Sequence, residues 1–543
     1  MGNFSVAPVA GKLRLLILFL FVAAAAIRLC HITEPPDDFH PFRQYRCASI
    51  ARAFYEEAQG RADWAHESAD NRHFQDGVLE PPVVEFISVG GYFLLGGEKL
   101  WFARVLSVGY WLIAAGLLWR LARRLAGDGP ALVTLAVMLF LPYGIVGSRA
   151  FQPEPLMVML QLLTITAVFN HFAAPLRKRF WLAAALAAVT FLIKPTGLFA
   201  VFAVFGGLSL WHRGLKATLF GRESILFTVV SMLPAVSYYG WGIWHVAKLQ
   251  DQATMSFVPQ LYTHLHYWTS WARMIGRTAG LLPFAAGLGG ILFFARGPAR
   301  VLVASMFGGY FAYGLVFNYH IHTHDYYSLQ LIPIVALALG PITLAAGNWL
   351  GAQWRISAWR LAVTLALGGV LLAGGLFAAW QMNLKRTDKA VKERLKAGLG
   401  LVGLSEKVFR FVRPGYYGYE QMRADAVEIG ELVHHSHHTV LLCVDGPMCV
   451  SYFGRLSGKD WPESNLFRFE RDVRRLPPIP VAQRFARGFQ PMDPEYFIIT
   501  ELGDFAAQPE LKEFLDANYP VLADRPGHYR IYRLKPAVPP ANP

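Results

Sequence analysis

The feature that most constrains this chain is a series of long apolar segments separated by short loops rich in lysine and arginine. A membrane-spanning helix needs about 20 mostly apolar residues. The predicted spans are 13–29, 101–119, 131–147, 156–172, 180–193, 197–211, 225–244, 280–294, 301–317, 328–350 and 361–380. Only 16% of the residues are charged, against roughly a quarter in soluble domains. The sequence therefore predicts an α-helical polytopic membrane protein with about 11 transmembrane helices, and it excludes a disordered chain or a small disulfide-rich domain.

The distribution of charge predicts how the chain is threaded through the membrane. A net charge of +14 would by itself suggest nucleic-acid binding, but the basic residues of the apolar part fall in short clusters between the spans. These clusters lie at 12–14, 120–124, 177–179, 213–222, 296–300 and 355–360. Short cytoplasmic loops show such an excess of Lys and Arg. We therefore expect a cytoplasmic N-terminus, an extracytoplasmic loop 31–100, an extracytoplasmic tail and no nucleic-acid partner.

The tail differs in kind from the membrane module 1–380. We predict a basic helical linker over 381–413 and an extracytoplasmic α/β domain over 414–543. "AVEIGELVHHSHHTVLLCVD" is typical of a helix, a turn and a strand, and "EYFIIT", "PELKEFLDANY" and "HYRIYRL" indicate strand, helix and strand. Cys443 and Cys449 are close in sequence, and both a disulfide and two free thiols remain open.

Acidic residues concentrate in the loop 31–100, in which we also predict interfacial helices, with helical character over 45–55. Asp37 and Asp38 follow the first span, and His40 and Arg43 come directly after them. A carboxylate at the lipid boundary beside an arginine is suited to accept a proton, although an acidic pair in a solvated loop is the ordinary alternative. Glu85 enters an apolar stretch at the end of the same loop, where an ionisable group is usually paired or functional.

Cationic, histidine and tyrosine side chains occupy the same predicted side of the membrane. Arg149 and Glu154 flank a tight turn, either as a structural pair or with Arg149 as a phosphate ligand. Lys194 is an isolated lysine at the end of the fifth span. The segment "NYHIHTHDYYSLQLIP" adds further candidates before the tenth span: His320, His324, Asp325, Tyr326 and Tyr327. Histidines in this spacing suit a metal or an anion, and tyrosine belongs at the interface.

These clusters predict a cleft that faces outward and transfers a group from a lipid phosphate. Cations would stabilise the charge that develops on the leaving phosphate, and a carboxylate would activate an acceptor hydroxyl. No nucleotide loop, dinucleotide fingerprint or serine elbow is visible in the sequence.

The sequence resembles the bacterial members of the GT-C glycosyltransferase superfamily, near the protein O-mannosyltransferases and the lipid A aminoarabinose transferases. The resemblance runs over about 13–348 and depends on the order of several short motifs. They are the acidic pair, "RQYRCASIARAFYE", "EFISVGGYFLLGGEKLWFARVLSV", "SRAFQPEPLMV", "FLIKPTG" and "HTHDYYSLQLIP". The segment "FHPFRQ" after the acidic pair departs from the family pattern, which leaves the base and the sugar preference open.

The resemblance implies transfer of a sugar from a polyprenyl phosphate to a hydroxyl, normally with inversion, in a bacterial inner membrane. The best match to the family's base is Asp38, with Asp37 as the neighbouring candidate, and Glu85 matches the second acidic position. The positions that match the donor phosphate pocket are Lys194, Arg149, His324, Tyr326 and Tyr327. The remaining expected pocket residues are Arg43, His40, Glu154, His320 and Asp325. No cofactor or metal is expected to be required, although a divalent metal remains possible.

Other functions fit the same composition. A transporter or flippase for an amphiphilic lipid-linked substrate would also place charges in a helical bundle, typically near the membrane midplane. The predicted spans carry few charges at their centres, which favours the transferase. A non-catalytic envelope assembly factor and a transferase of a different lipid-linked group are further alternatives. The acceptor, whether protein, lipid or glycan, is not identified by the sequence.

Overall fold

The structure is a computed structural model that describes residues 11–60, 79–245, 247–354, 419–444 and 446–535. It divides into two compact units. The first, here the membrane unit, comprises Met1–Glu34, Leu79–Val84 and Leu100–Leu384. The second, here the loop–tail unit, comprises Pro35–Val78, Glu85–Lys99 and Lys385–Pro543.

Helices dominate the chain up to Trp354. In chain order they are α1 (Gly11–Leu29), α2 (Pro41–Ala58), α3 (Val83–Leu94), α4 (Leu100–Ala126), α5 (Asp128–Phe140), α6 (Pro142–Gly147), α7 (Glu154–Ala173), α8 (Arg177–Ile193), α9 (Leu198–Phe220), α10 (Arg222–His245), α11 (Ala247–Ser256), α12 (Leu265–Thr278), α13 (Leu281–Gly290), α14 (Pro298–Val316), α15 (Asn318–Thr323) and α16 (Leu331–Trp354). Short 3₁₀ turns cover Pro195–Gly197, Pro259–Thr263, Ile291–Phe293 and Asp325–Ser328.

Membrane-spanning helices are confirmed, but their predicted number is not. Among the described residues, six helices are long and apolar enough to cross a membrane, or up to seven if a bent pair counts as one span. They are Leu100–Ala126, Glu154–Ala173, Pro195–Phe220, Arg222–His245, Pro298–Val316 and Leu331–Trp349. The predicted span 361–380 and the linker 381–413 lie outside the described residues. The total of eleven and the domain boundaries therefore stay predictions.

Two predicted spans are interrupted in the structure. The segment 131–147 breaks at Leu141, which is extended (φ −61°, ψ 124°) because the ring of Pro142 disfavours a helical conformation in the preceding residue. The segment 280–294 forms α13 and a 3₁₀ turn, and it meets the preceding α12 at 88°. Gly280 supplies the positive φ of 86° at that bend. Hydropathy alone does not register either break.

The tail forms an α/β fold around a small mixed sheet. Its elements are α17 (Tyr419–Leu432), β1 (Thr439–Leu442), α18 (Met448–Gly454), β2 (Gly458–Asp460), α19 (Ser464–Asp472), α20 (Val481–Gly488), β3 (Tyr496–Ile499), α21 (Leu502–Ala506), α22 (Pro509–Asn518), β4 (Val521–Arg525) and β5 (Tyr529–Arg533). The strand order is β2-β1-β3-β5-β4. Strand β1 pairs in parallel with β2 and β3, whereas β5 pairs antiparallel with β3 and β4.

Alternation along the strands gives the sheet two apolar faces. Val440 and Leu442 belong to one buried cluster, and the intervening Leu441 belongs to the other. Phe497 and Ile498 divide in the same way. Successive strand side chains point to opposite faces, so both faces of this sheet are apolar. Helices cover each face and bury these side chains. The structure thus contains the predicted C-terminal sheet. The location of this sheet on the extracytoplasmic side of the membrane remains a prediction.

The loop–tail unit joins the predicted interfacial helix to the tail. Helix α2 is largely buried, with Tyr45, Ala48 and Ala51 fully inaccessible, and it packs against α18. A helix lying flat on a membrane would bury only one apolar face. All four cysteines are free thiols, so the structure favours free Cys443 and Cys449 over a disulfide.

One tight contact in this unit gives a first prediction. A Cβ added to Gly446 would lie 2.6 Å from Cδ2 of Phe42, and Gly446 has a φ of 82°. We expect Gly446→Ala to lower the free energy of unfolding by about 1–3 kcal/mol, because the new methyl group is both clashing and in the left-handed region. Thermal unfolding of the purified protein measures this change. Gly488→Ala is the matched control, since nothing lies within 4 Å of its Cβ position.

Candidate functional site

Lys194 is the centre of a buried ion cluster in the membrane unit. Helix α8 ends before it, because Pro195 favours an extended conformation in the preceding residue and Lys194 has a φ of −156°. Its Nζ lies 2.5 Å from Oε1 of Glu154 and 3.1 Å from Oε1 of Glu80. The same Nζ is 5.3 Å from the centre of the Tyr327 ring. Two carboxylates and an aromatic face thus compensate for the cost of burying the ammonium.

The two carboxylates differ in exposure. The Glu154 side chain is 2% exposed, whereas that of Glu80 is 18% exposed. Glu154 begins α7 directly after Pro153, and Glu80 precedes the prolines before α3. Glu154 is therefore the fixed partner of Lys194, and Glu80 is the partner that water or a ligand reaches more easily.

Arg149 has a different contact from either predicted one. Its guanidinium donates to the carbonyl of His31 at 3.1 Å, and the side chain is buried. Glu154, its predicted structural partner across the turn, forms an ion pair with Lys194. Arg149 thus braces the chain directly after α1, and its predicted role as a phosphate ligand stays a prediction.

Arg104 braces the same segment. It donates to the carbonyls of Ile32 and Glu34 at 3.0 and 2.8 Å, and to that of Arg149 at 3.3 Å. Arginine is suited to this task because its planar guanidinium donates in several directions at once.

An aromatic wall adjoins the ion cluster. Tyr326 and Tyr327 are buried, and the Tyr327 ring centre lies 5.2 Å from that of His320 and 6.0 Å from that of His324. Because Tyr327 also contacts Lys194, the predicted lysine and histidine–tyrosine motifs do meet in the structure. Such a wall excludes water from one side of the ammonium while offering hydroxyl and imidazole donors.

The other members of the histidine segment face polar partners. Asp325 accepts a hydrogen bond from the Tyr143 hydroxyl at 2.8 Å, and Arg277 lies 3.8 Å from its second oxygen. The Nε2 atom of His320 is 2.9 Å from Nε2 of Gln252. Within the residues that the structure describes, no group of three or more His, Cys, Asp or Glu side chains is arranged to hold a metal ion.

The acidic pair lies in the loop–tail unit, where the two carboxylates have different surroundings. Asp37 accepts from the Tyr45 hydroxyl at 2.6 Å on Oδ1 and forms an ion pair with Arg423 on Oδ2. The amide of Gln44 lies 3.5 Å from Oδ1 of Asp38. The same amide donates to the carbonyl of Phe39 at 2.6 Å, which holds the turn between the acidic pair and α2. Asp37 is thus held by a tyrosine hydroxyl and an arginine guanidinium.

His40, Arg43 and Glu85 surround the start of α2. His40 precedes the helix with a positive φ of 43°. Glu85 is buried and accepts a hydrogen bond from the Cys47 thiol, and burial together with this carboxylate raises the pKa of the Cys47 thiol well above its usual range. Arg43 acts on the same thiol in the opposite direction. Cys47 therefore stays a neutral donor that orients Glu85.

Three contributors were missed in the sequence analysis. Glu80 pairs with Lys194, Tyr143 binds Asp325, and Arg423 binds Asp37 from a position 386 residues away. Glu80 was recoverable as an acidic residue at the entry to an apolar helix. No sequence signal distinguishes Arg423 from the other arginines of the tail.

Part of the chain matches a family model of glycosyltransferases. Residues 79–244 match the family model described as dolichyl-phosphate-mannose-protein mannosyltransferase. That range includes Glu80, Glu85, Arg149, Glu154 and Lys194. No curated protein matches the chain in sequence.

Solved structures extend the likeness to nearly the whole chain. The crystal structure of ArnT from Cupriavidus metallidurans in the apo state aligns with a TM-score of 0.52 and 16% identity, covering 95% of this chain and 98% of that one. The same protein bound to undecaprenyl phosphate gives a TM-score of 0.53 and 15% identity, covering 97% and 99%. The predicted resemblance to the ArnT/PMT-like GT-C glycosyltransferases is confirmed. The chain is a multi-pass membrane protein with the fold of ArnT.

Proposed function

We propose that this protein is an inverting glycosyltransferase that moves a sugar from a polyprenyl-phosphate donor to an acceptor hydroxyl at the outer face of the membrane. The observation that carries the proposal is the buried Lys194 between Glu80 and Glu154 beside Tyr327. The matched range 79–244 includes Glu80, Glu154 and Lys194, and the similar ArnT structure is bound to undecaprenyl phosphate. A buried cation that an apolar helical bundle retains at such cost is typical of a substrate site.

In this proposal Lys194 binds the donor phosphate by exchanging one carboxylate partner for another anion. Glu154 remains in place because it is buried, and the more exposed Glu80 yields to the phosphate. The ammonium then stabilises the charge that grows on the phosphate as the sugar leaves. Tyr326, Tyr327 and His324 complete the phosphate pocket with hydroxyl and imidazole donors.

Asp38 is the proposed general base. As the acceptor oxygen attacks the anomeric carbon, its proton passes to the Asp38 carboxylate. The bond from the anomeric carbon to the phosphate oxygen breaks with its electron pair, and polyprenyl phosphate leaves as the anion. Backside attack inverts the anomeric configuration. A positioned carboxylate contributes about 10²–10⁴ to such a step.

The ion pair of Asp37 supports the neighbouring Asp38 as the base. Both oxygens of Asp37 carry strong partners, Tyr45 and the Arg423 guanidinium. A carboxylate stabilised by an arginine ion pair and a short hydrogen bond is a weaker proton acceptor. Glu85, hydrogen-bonded to Cys47, is assigned to orienting the acceptor.

If the donor phosphate replaces Glu80 at Lys194, then removing the Glu80 charge should increase the affinity for the donor. Glu80→Gln removes the carboxylate that competes with the phosphate while keeping the shape of the side chain. We expect donor or undecaprenyl phosphate to bind about three- to tenfold more tightly, because a carboxylate that competes with the phosphate for Lys194 costs the binding free energy roughly 1 kcal/mol. Isothermal titration in detergent measures this change. Glu98→Gln is the matched glutamate control from the loop–tail unit, and equal or weaker binding by Glu80→Gln would contradict the exchange.

The proposed activity is tested with purified protein and a panel of polyprenyl-phosphate sugars. The readout is the release of polyprenyl phosphate, since water can act as a poor acceptor in place of the missing hydroxyl. Saturable release from at least one donor supports the transferase. If no donor is cleaved and none binds saturably, the proposal fails.

A further inference from the structure

A side chain of the C-terminal domain forms an ion pair with Asp37 of the first loop. Arg423 lies on α17, the first described helix of the tail, and its guanidinium pairs with Oδ2 of Asp37. Both side chains are mostly buried, at 22% and 17% exposure. Ion pairs with little solvent around them resist screening and fix geometry better than exposed ones do. The residue next to the proposed base is therefore held by a distant part of the chain.

The second partner of Asp37 also depends on the tail. The Tyr45 hydroxyl donates to Oδ1 of Asp37, and the Tyr45 ring lies 5.3 Å from Tyr452 and 5.2 Å from Phe453 of α18. Burial, followed by the Asp37 carboxylate, raises the pKa of Tyr45 far above its usual range, so the hydroxyl stays a donor. Each oxygen of Asp37 is thus oriented by a group that the tail supplies or supports.

Docking of α2 onto the tail does not depend on Arg423 alone. Arg52 of α2 donates to the carbonyl of Tyr452 at 2.6 Å, and its guanidinium carbon lies 3.6 Å from the centre of the Tyr452 ring. Glu98 accepts from both Arg52 and the Tyr452 hydroxyl. Phe42 packs directly on Gly446. Removing the Arg423 guanidinium should therefore leave the loop–tail unit assembled.

We propose that Arg423 is a positioning residue that acts through Asp37 to orient Asp38, which makes the C-terminal domain part of the catalytic apparatus. This inference rests on the proposed role of Asp38 as base. Arg423 fixes the Asp37 side chain and hence the backbone of the adjacent Asp38. It also neutralises Asp37, which would otherwise repel the charge of Asp38. Asp38 is therefore correctly oriented only when the tail is packed against the first loop.

Arg423→Gln tests the proposal through kinetics. We expect kcat to fall about 10- to 100-fold, because small displacements of a catalytic group cost up to about 10² in rate. The KM for the donor should change less than about threefold, since Arg423 acts on the base and not on phosphate binding. Arg423→Lys, which keeps the charge, should recover kcat to within about fivefold of wild type. Arg525→Gln is the matched control, because Arg525 pairs with Glu428 inside the tail.

A double-mutant cycle separates positioning from a structural role. If Arg423 acts through Asp37, then Arg423→Gln in an Asp37→Asn background should change kcat less than about threefold. Unchanged kcat in Arg423→Gln, a rise in kcat, or fully additive losses in the double variant would each overturn the proposal. If Arg423→Gln lowers the unfolding temperature markedly, the Arg423→Lys variant and the Asp37→Asn background still decide.

Failure of this inference is distinguishable from failure of the proposed function. Wild-type donor cleavage that Asp38→Asn abolishes, combined with normal kcat in Arg423→Gln, overturns the positioning role alone. Absence of donor cleavage and of saturable donor binding in the wild type overturns the function and this inference with it.

Discussion

Asp38→Asn is expected to abolish sugar transfer while leaving the protein folded and inserted. The substitution keeps the size of the side chain and removes its ability to accept a proton, so kcat should fall about 10³- to 10⁴-fold. Donor binding should stay within about threefold of wild type, because Asp38 is assigned to the acceptor and not to the phosphate. Release of polyprenyl phosphate and equilibrium binding of undecaprenyl phosphate measure the two quantities separately.

Asp37→Asn is the matched control for that experiment. It changes the neighbouring carboxylate in the same way but is expected to cost only about 10- to 100-fold in kcat, as the loss of a positioning ion pair would. Reversal of the two effects would identify Asp37 as the base. Full turnover by Asp38→Asn would remove Asp38 from the mechanism.

Lys194→Gln is expected to reduce transfer about 10²- to 10³-fold and to weaken donor binding. It removes the cation that we assign to the leaving phosphate, and the loss of one preorganised electrostatic contact costs about this much. The same change leaves Glu154 buried without its ion pair, which typically costs about 3–5 kcal/mol of folding free energy. Activity and stability therefore have to be measured together.

A second variant separates these two effects. In Lys194→Gln combined with Glu154→Gln the buried carboxylate that loses its Lys194 partner is neutral, so most of the lost stability should return. Transfer should not return, because the phosphate still lacks its cation. Recovery of activity in the double variant would show that Lys194 has a structural role only.

The membrane-spanning helices were predictable because the bilayer permits few backbone structures. An apolar stretch of the required length has few options other than a helix, and loop charge follows topology. The bend at Gly280 and the break at Pro142 were visible as residue types, yet their effect depends on packing. The tail sheet followed from short apolar runs such as 439–442, whose successive side chains are buried on opposite faces.

The sequence indicated several residues of the candidate site, but it did not indicate which of them form ion pairs with one another. Lys194, Glu154 and Tyr327 were all candidates, but nothing in the sequence indicated that Lys194 pairs with Glu154. The partner of Asp37 lies 386 residues away, on a helix whose pattern gives its amphipathic character and no information about what each charge binds. Long-range ion pairs depend on tertiary geometry, which periodicity does not encode.

The central claim is that the protein breaks the bond between a sugar and a lipid phosphate. It is tested most directly in proteoliposomes that contain a polyprenyl-phosphate donor labelled in both the sugar and the lipid. We predict that wild-type protein converts the donor to labelled polyprenyl phosphate and a labelled glycoside or free sugar, and that Asp38→Asn does not. Movement of the intact donor between leaflets, with both labels still joined in wild type and variant alike, would contradict the account and identify a transporter.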